Sequence, residues 1–118
     1  MEVDEVIRKV AGRLIRGMAM QVEGMILYTS ALLDVLEGGG EVIRVRSARP
    51  LDRKEMKKSI ERLEQYRETL EYLEEIARSS DMDNALKALR EAYSIYRTSY
   101  TIACELGIMG GQESSFYT

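Results

Sequence analysis

Five glutamates between positions 61 and 75 are the residues of this chain whose spacing could support chemistry. They follow one another at intervals of three and four residues, which places them along one side of a helix. They are Glu61, Glu64, Glu68, Glu71 and Glu75, and we name them the acidic ridge. Because aligned carboxylates hold Mg²⁺, one hypothesis is a Mg-dependent nucleotide phosphohydrolase that uses Glu61, Glu64 and Glu68.

The pattern around the acidic ridge argues against this chemistry. All-helical nucleotide pyrophosphohydrolases follow a Glu-x-x-Glu pair with a Glu-x-x-Asp pair, whereas here Glu61 and Glu64 supply the first pair and no Glu-x-x-Asp follows. The ridge is also predicted to lie opposite the apolar stripe of its helix. There Lys57, Arg67 and Arg78 partly neutralise it, which is typical of a solvated face. We therefore assign no catalytic, metal-binding or cofactor-binding residue and expect no cofactor.

Residue types that are missing or rare exclude further chemistry. The chain has no histidine and one cysteine, Cys104. A Ser-His-Asp relay, a Cys-His relay, an imidazole metal site and an intrachain disulfide are therefore impossible. Cys104 lies on an apolar helical face and is predicted to be buried and unreactive. The triplet at 38–40 lacks the Gly-Lys-Ser/Thr ending of a phosphate-binding loop.

A basic segment interrupts a chain whose net charge is −3. Residues 41–62 hold eight basic side chains against four acidic ones. Those that could contact a phosphate backbone are Arg44, Arg46, Arg49, Arg53, Lys54, Lys57 and Lys58. The segment offers no base stacking, because positions 29–65 contain no aromatic residue. The second hypothesis is therefore a nucleic-acid-associated protein that contacts the phosphate backbone.

The apolar periodicity predicts the elements that carry these residues. It indicates an all-α, up-and-down bundle of three long helices at about 3–37, 52–78 and 81–106. One domain spans 1–108, with an extended basic crossover at 41–50 and a flexible tail at 109–118. Asp52 is predicted to cap the second helix and Ser80 the third. Gly38 and Gly107 are predicted to end the first and third helices.

Each predicted helix has an apolar stripe with the helical period. The stripes are Val3, Ile7, Val10, Leu14, Met18, Val22, Met25, Leu32 and Leu36 in the first helix; Met56, Ile60, Leu63, Tyr66, Leu70, Leu73 and Ala77 in the second; and Met82, Leu86, Leu89, Tyr93, Tyr96, Tyr100 and Ala103 in the third. The tyrosines continue these stripes, so we interpret them as core or interface packing rather than as base-stacking platforms.

Small residues recur every seven positions in two of the helices. They are Gly17, Gly24 and Ala31 in the first helix and Ala85, Ala92 and Ser99 in the third. A seven-residue interval nearly returns to the same face, so each set forms a shallow groove that another backbone can approach. We predict that these six residues form an interface. The two grooves would face each other or face their copies in a partner chain.

These observations favour a non-catalytic helical assembly or protein-interaction module. Three helices of such unequal length bury their stripes poorly alone, so we expect a homodimer, or docking to a helical partner in a larger complex. No run of 18 apolar residues is present, and acidic residues follow the initial methionine. The sequence therefore predicts neither a membrane span nor a secretion signal, and a cytoplasmic location.

Overall fold

Three α-helices make up the bundle. The computed structural model describes residues 2–38 and 52–106, which form α1 (Val3–Glu37), α2 (Arg53–Ser79) and α3 (Met82–Glu105). No strand occurs within these two ranges. Every helix contacts the other two, and consecutive helices run in opposite directions. The prediction of an all-α, up-and-down three-helix bundle is confirmed.

The helix ends agree with the predicted ends to within one residue. Asp52 precedes α2 and its carboxylate accepts a hydrogen bond from the Lys54 amide at 2.9 Å, as expected of an N-cap. α1 ends at Gly38, which has φ −80° and therefore does not use the left-handed region. α1 is continuous, although it contains three glycines. The predicted crossover at 41–50, the predicted cap Gly107 and the tail at 109–118 lie outside the described residues.

The turn between α2 and α3 differs from the prediction. Asp81, and not Ser80, caps α3, because the Asp81 carboxylate accepts a hydrogen bond from the Asn84 amide at 2.8 Å. Ser80 instead closes α2, since its amide donates to the Ile76 carbonyl at 2.9 Å. The Ser80 carbonyl accepts a hydrogen bond from Arg8 of α1 at 3.3 Å. Ser80 thus belongs to the preceding helix, and α3 starts one residue later than expected.

We expect the Asp81→Ala variant to unfold with a free energy about 1 kcal/mol below that of the parent chain, because the first turn of α3 loses its acceptor. The Ser80→Ala variant is the matched control and should change the free energy of unfolding by less than ~0.5 kcal/mol. Urea titration followed by circular dichroism measures both. If Ser80→Ala proved the more damaging of the two, the assignment of the cap to Asp81 would be wrong.

Residues seven positions apart line the core. Three seams have no exposed surface: Ile15, Val22 and Thr29 on α1; Met56, Leu63, Leu70 and Ala77 on α2; and Ala85, Ala92 and Ser99 on α3. A seven-residue repeat is the spacing at which helices pack with a small left-handed crossing angle. The third seam consists of small side chains, so α3 can lie close to the leucines of α2.

Two contacts join the end of α1 to the beginning of α2. The Arg53 guanidinium donates a hydrogen bond to the Leu36 carbonyl at 2.8 Å, and the Lys57 ammonium lies 3.0 Å from the Glu37 carboxylate. A cation at the last turn of a helix satisfies an unpaired carbonyl and interacts favourably with the helix dipole. We name this pair of contacts the basic clip.

Candidate functional site

α1 exposes many large apolar side chains outside the core. The eight exposed ones are Val3, Val6, Val10, Leu14, Met20, Leu27, Tyr28 and Val35. Met20 lies at the edge of this set, because it also lines the groove between α1 and α2. The described residues contain only two further exposed large apolar side chains, Tyr72 on α2 and Tyr93 on α3. We name the eight side chains, together with Gly17, Gly24 and Ala31, the outer face of α1.

Small residues run along the middle of this outer face. A Cβ atom built on Gly17 or Gly24 would meet no neighbouring atom of the described residues within 4 Å. Ala31, seven residues further, is exposed. Gly17, Gly24 and Ala31 therefore form a shallow groove with no occupant from the described part of this chain.

The two sets of small residues do not face each other within the chain. Ala85, Ala92 and Ser99 lie in the core with no exposed surface, whereas the groove of α1 opens outwards. The expectation that the two grooves pair is therefore wrong. The reason is that α1 turns its opposite side, which carries Ala11, Ile15 and Ala19, towards the core. The alternative, that the groove of α1 meets its copy in a partner chain, stays a prediction.

Gly12 differs from the other helical glycines of α1. A Cβ atom there would lie 2.7–2.9 Å from the side chain of Arg78, which crosses α1 at this point. The same Arg78 side chain donates a hydrogen bond to Glu74 at 2.9 Å. Gly12 thus makes room for a contact between α1 and α2 and takes no part in the outer face.

The acidic ridge lies in solvent. All five of its glutamates are exposed, as the sequence predicted for a solvated face. Within residues 2–38 and 52–106, no group of three or more Asp, Glu or Cys side chains lies close enough to hold a metal ion. The cations assigned to the ridge bind elsewhere: Lys57 pairs with Glu37 and Arg78 with Glu74. Only Arg67 pairs with a ridge residue, at 3.9 Å from Glu71.

A groove of about 460 Å³ between α1 and α2 collects charged side chains. Arg67 donates a hydrogen bond to Glu23, and this bond raises the pKa of Arg67 above its ordinary value more than partial burial lowers it. In the same groove Arg16 of α1 lies 3.9 Å from Glu74 of α2. Since these charges pair across the groove, the groove joins two helices and leaves little net charge for a ligand.

In the part of the basic segment that the structure describes, two of the basic side chains hold helices together. Arg53, Lys54, Lys57 and Lys58 are exposed on the first turns of α2. Arg53 and Lys57 form the basic clip. The remaining predicted contacts, Arg44, Arg46 and Arg49, lie outside the described residues. Contact with a nucleic acid through this segment stays a prediction.

The tyrosines lie at the edges of the core. Tyr66, Tyr96 and Tyr100 are half-buried against it, and the Tyr96 hydroxyl donates to the side chain of Gln21 on α1. Tyr93 is 54% exposed and so does not pack in the core, while the alternative that it packs in an interface stays a prediction. The Arg97 guanidinium lies 6.0 Å from the centre of its ring. Ala92, the residue before Tyr93, faces inwards and has no exposed surface.

α1 meets the length and composition expected of a membrane-crossing helix. An 18-residue window within Val3–Glu37 reaches a mean hydropathy of 1.2, and 33% of that window is buried in the bundle. The sequence-based expectation considered only uninterrupted apolar runs and therefore passed over this helix. Core helices of soluble proteins meet the same criteria, so the finding assigns no location. The cytoplasmic location and the absence of a membrane contact stay predictions.

Sequence reasoning identified the groove but missed the large side chains around it. Met20, Leu27 and Tyr28 were not in the predicted stripe of the first helix, while Val10 and Leu14 were predicted to face inwards. A second apolar stripe, displaced around the helix, was the signal available for this face. Comparisons of the chain with protein-family models, with curated proteins and with solved structures found no match.

Proposed function

We propose that this protein is a non-catalytic helical assembly module that self-associates through the outer face of α1. One observation carries the proposal: eight of the ten exposed large apolar side chains in the described residues lie on this single helix. Soluble monomers rarely leave apolar patches larger than a few hundred Å² in contact with water. A second helical surface packed against the outer face would remove this patch from water.

The dimensions of the outer face suit such a contact. At ~1.5 Å per residue, α1 is about 52 Å long, and a strip ~10 Å wide along it covers on the order of 500 Å² before the relief of the side chains is counted. Stable interfaces bury about 800 Å² of accessible surface on each partner. One helix packed along α1 therefore covers more than half of that area before the relief of the side chains is counted.

The glycines support a close approach of the partner. Glycine inside a helix costs roughly 0.5–1 kcal/mol relative to alanine. At Gly17 and Gly24 no contact within the described chain offsets this cost, because both positions open into empty space. A partner backbone lying in the groove would offset it, since helices approach closely where side chains are small.

We expect the Leu27→Glu variant to lose self-association and keep its fold. Leu27 is 62% exposed, so a carboxylate there stays solvated in the single chain, but it would be desolvated in the assembly. The dissociation constant should rise at least about ten-fold. Light scattering and sedimentation equilibrium give the mass, which is 13.5 kDa for one chain, and circular dichroism gives the helix content.

Tyr72→Glu is the matched control for this experiment. Tyr72 is 63% exposed and lies on α2, away from the outer face, so this variant should keep the mass and the helix content of the parent chain. A parent chain that stays at 13.5 kDa throughout the micromolar range would overturn the proposal. So would a Tyr72→Glu variant that dissociates as readily as Leu27→Glu.

A further inference from the structure

The charged residues of α1 differ in whether they have a partner inside the chain. Beyond the first turn they are Arg8, Lys9, Arg13, Arg16, Glu23, Asp34 and Glu37. Five of them have a partner: Arg8 bonds to the Ser80 carbonyl, Lys9 pairs with Glu5, Arg16 with Glu74, Glu23 with Arg67, and Glu37 with Lys57. Arg13 and Asp34 form no ion pair or side-chain hydrogen bond with any described residue.

These two residues have opposite charges and are symmetrically placed. Both are exposed. Arg13 precedes Gly24 by eleven residues and Asp34 follows it by ten, which places them ~16 and ~15 Å from Gly24 along the helix. They are separated by twenty-one residues, or three seven-residue repeats, so both occupy the same flank of a supercoiled helix. The groove shares this symmetry, since Gly17 and Ala31 lie seven residues on either side of Gly24.

We infer that the outer face binds a second copy of this chain, antiparallel, about a two-fold axis at Gly24. The inference rests on the proposed self-association and specifies its geometry. In this arrangement Gly24 lies opposite its own copy, and Gly17 lies opposite Ala31 of the second copy. Arg13 then meets Asp34 of the second copy, and the two-fold axis repeats this pair at the other end of the contact.

The same register matches the apolar side chains. Met20 lies opposite Leu27 of the second copy on the flank that carries Arg13. On the other flank Leu14 lies opposite Val35 of the second copy. Each of these four side chains is at least 49% exposed in the single chain. Two pairs of apolar side chains therefore meet along the seam, small residues meet small residues, and Arg13 meets Asp34.

A parallel arrangement fails on charge. Two parallel copies in register would also bring Gly17, Gly24 and Ala31 opposite their copies, so the groove alone does not distinguish the two orientations. In such a pair the flank that carries Arg13 and Asp34 meets the other flank of the second copy, where Leu14 and Val35 lie at the same heights. Arg13 and Asp34 then meet no opposite charge, so the charges favour the antiparallel pair.

Cross-linking through introduced cysteines tests the orientation. The background is the full chain with Cys104→Ala, into which Gly17→Cys or Ala31→Cys is placed, one of the two carrying a mass tag. A short bis-maleimide should join the Gly17→Cys chain to the Ala31→Cys chain at least about ten times more efficiently than it joins either chain to itself. In the antiparallel pair the two copies of position 17 are ~21 Å apart, beyond the reach of the linker.

Charge exchange tests the register independently. The Arg13→Asp variant and the Asp34→Arg variant each create two like-charge contacts in the antiparallel pair, and each should raise the dissociation constant about ten-fold at low salt. The chain that carries both substitutions should return to within about three-fold of the parent, because the pairs re-form with their charges exchanged. In a parallel pair neither single substitution alters the number of like-charge contacts.

The outcomes separate this inference from the proposed function. Self-linked chains at position 17 and at position 31, without the mixed product, would overturn the antiparallel geometry and leave self-association standing. A protein that has the mass of one chain and forms no cross-link would overturn both the antiparallel geometry and the proposed self-association. Sedimentation with phosphatidylcholine vesicles provides the remaining test. If the protein stays a monomer in solution and sediments with the vesicles, the outer face binds lipid and the inference is overturned.

Discussion

Replacement of Leu63 by alanine is expected to lower the free energy of unfolding by about 2–5 kcal/mol. Leu63 lies in the middle of the α2 seam and has no exposed surface. Leu63 belongs to the buried cluster to which all three helices contribute, so removing its branched end leaves a cavity in a close-packed core. Urea titration of the parent chain and the variant, followed by circular dichroism, measures the difference.

Tyr72→Ala is the control on the same helix. Tyr72 is 63% exposed, so its truncation removes little buried surface and should change the free energy of unfolding by less than ~0.5 kcal/mol. Both variants keep the outer face of α1 intact, so the proposed self-association would contribute equally to each measurement. A loss below ~1 kcal/mol for Leu63→Ala would mean that the α2 seam is not packed as described.

The second large effect is expected from Ala92→Leu. Ala92 has no exposed surface and lies in the seam of small side chains with which α3 faces the core. Three additional carbon atoms force the packed helices apart or distort neighbouring rotamers, at a cost of about 1–3 kcal/mol. Thermal unfolding of the dissociated chain, measured at submicromolar concentration, gives the change in stability without a contribution from assembly.

Ala31→Leu is the matched substitution on the other set of small residues. Ala31 is exposed, so the larger side chain should leave the stability of the dissociated chain within ~0.5 kcal/mol of the parent. It should nevertheless weaken self-association, because the groove of α1 is then blocked. Equal losses of stability from Ala31→Leu and Ala92→Leu would contradict the burial of Ala92 and the exposure of Ala31.

Helix ends were predictable because the signals that set them are local. Asp52 caps α2 through the amide two residues further, and a glycine follows the last residue of α1. At the turn into α3 two adjacent residues, Ser80 and Asp81, could each act as the cap. The structure selects Asp81, while the Ser80 amide and carbonyl bond to Ile76 and to Arg8. Arg8 lies more than seventy residues away in sequence, and local patterns carry no information about such a partner.

The inward side of α3 was harder to predict because its core residues are small. Ala85, Ala88 and Ala92 contribute little to a hydrophobic pattern, yet they are buried. Tyr93 contributes more and is exposed. A close approach of helices favours small side chains at the contact, while large amphipathic ones lie at its edge with their hydroxyls near polar groups. An apolar periodicity gives large residues more weight than alanine. It therefore predicts the tyrosines, rather than the alanines, as core residues.

For α1 the difficulty is that two sides of one helix are apolar. Val22 and Met25 of the predicted stripe are buried, whereas Val3, Val10 and Leu14 of the same stripe are exposed. Spacings of three and four residues describe both sides equally well. The side that faces inwards depends on where α2 and α3 lie, which is a property of the whole bundle. The sequence therefore predicts the existence of α1 and its small-residue groove, but not the outer face.

The basic clip has a consequence for the joined ends of α1 and α2. Arg53 and Lys57 hold the last turn of α1 against the first turn of α2 through side chains. These two helix ends are thus held close together by noncovalent contacts as well as by the peptide that links them. A cut in the chain between α1 and α2 would therefore leave two side-chain contacts that still hold these helix ends together.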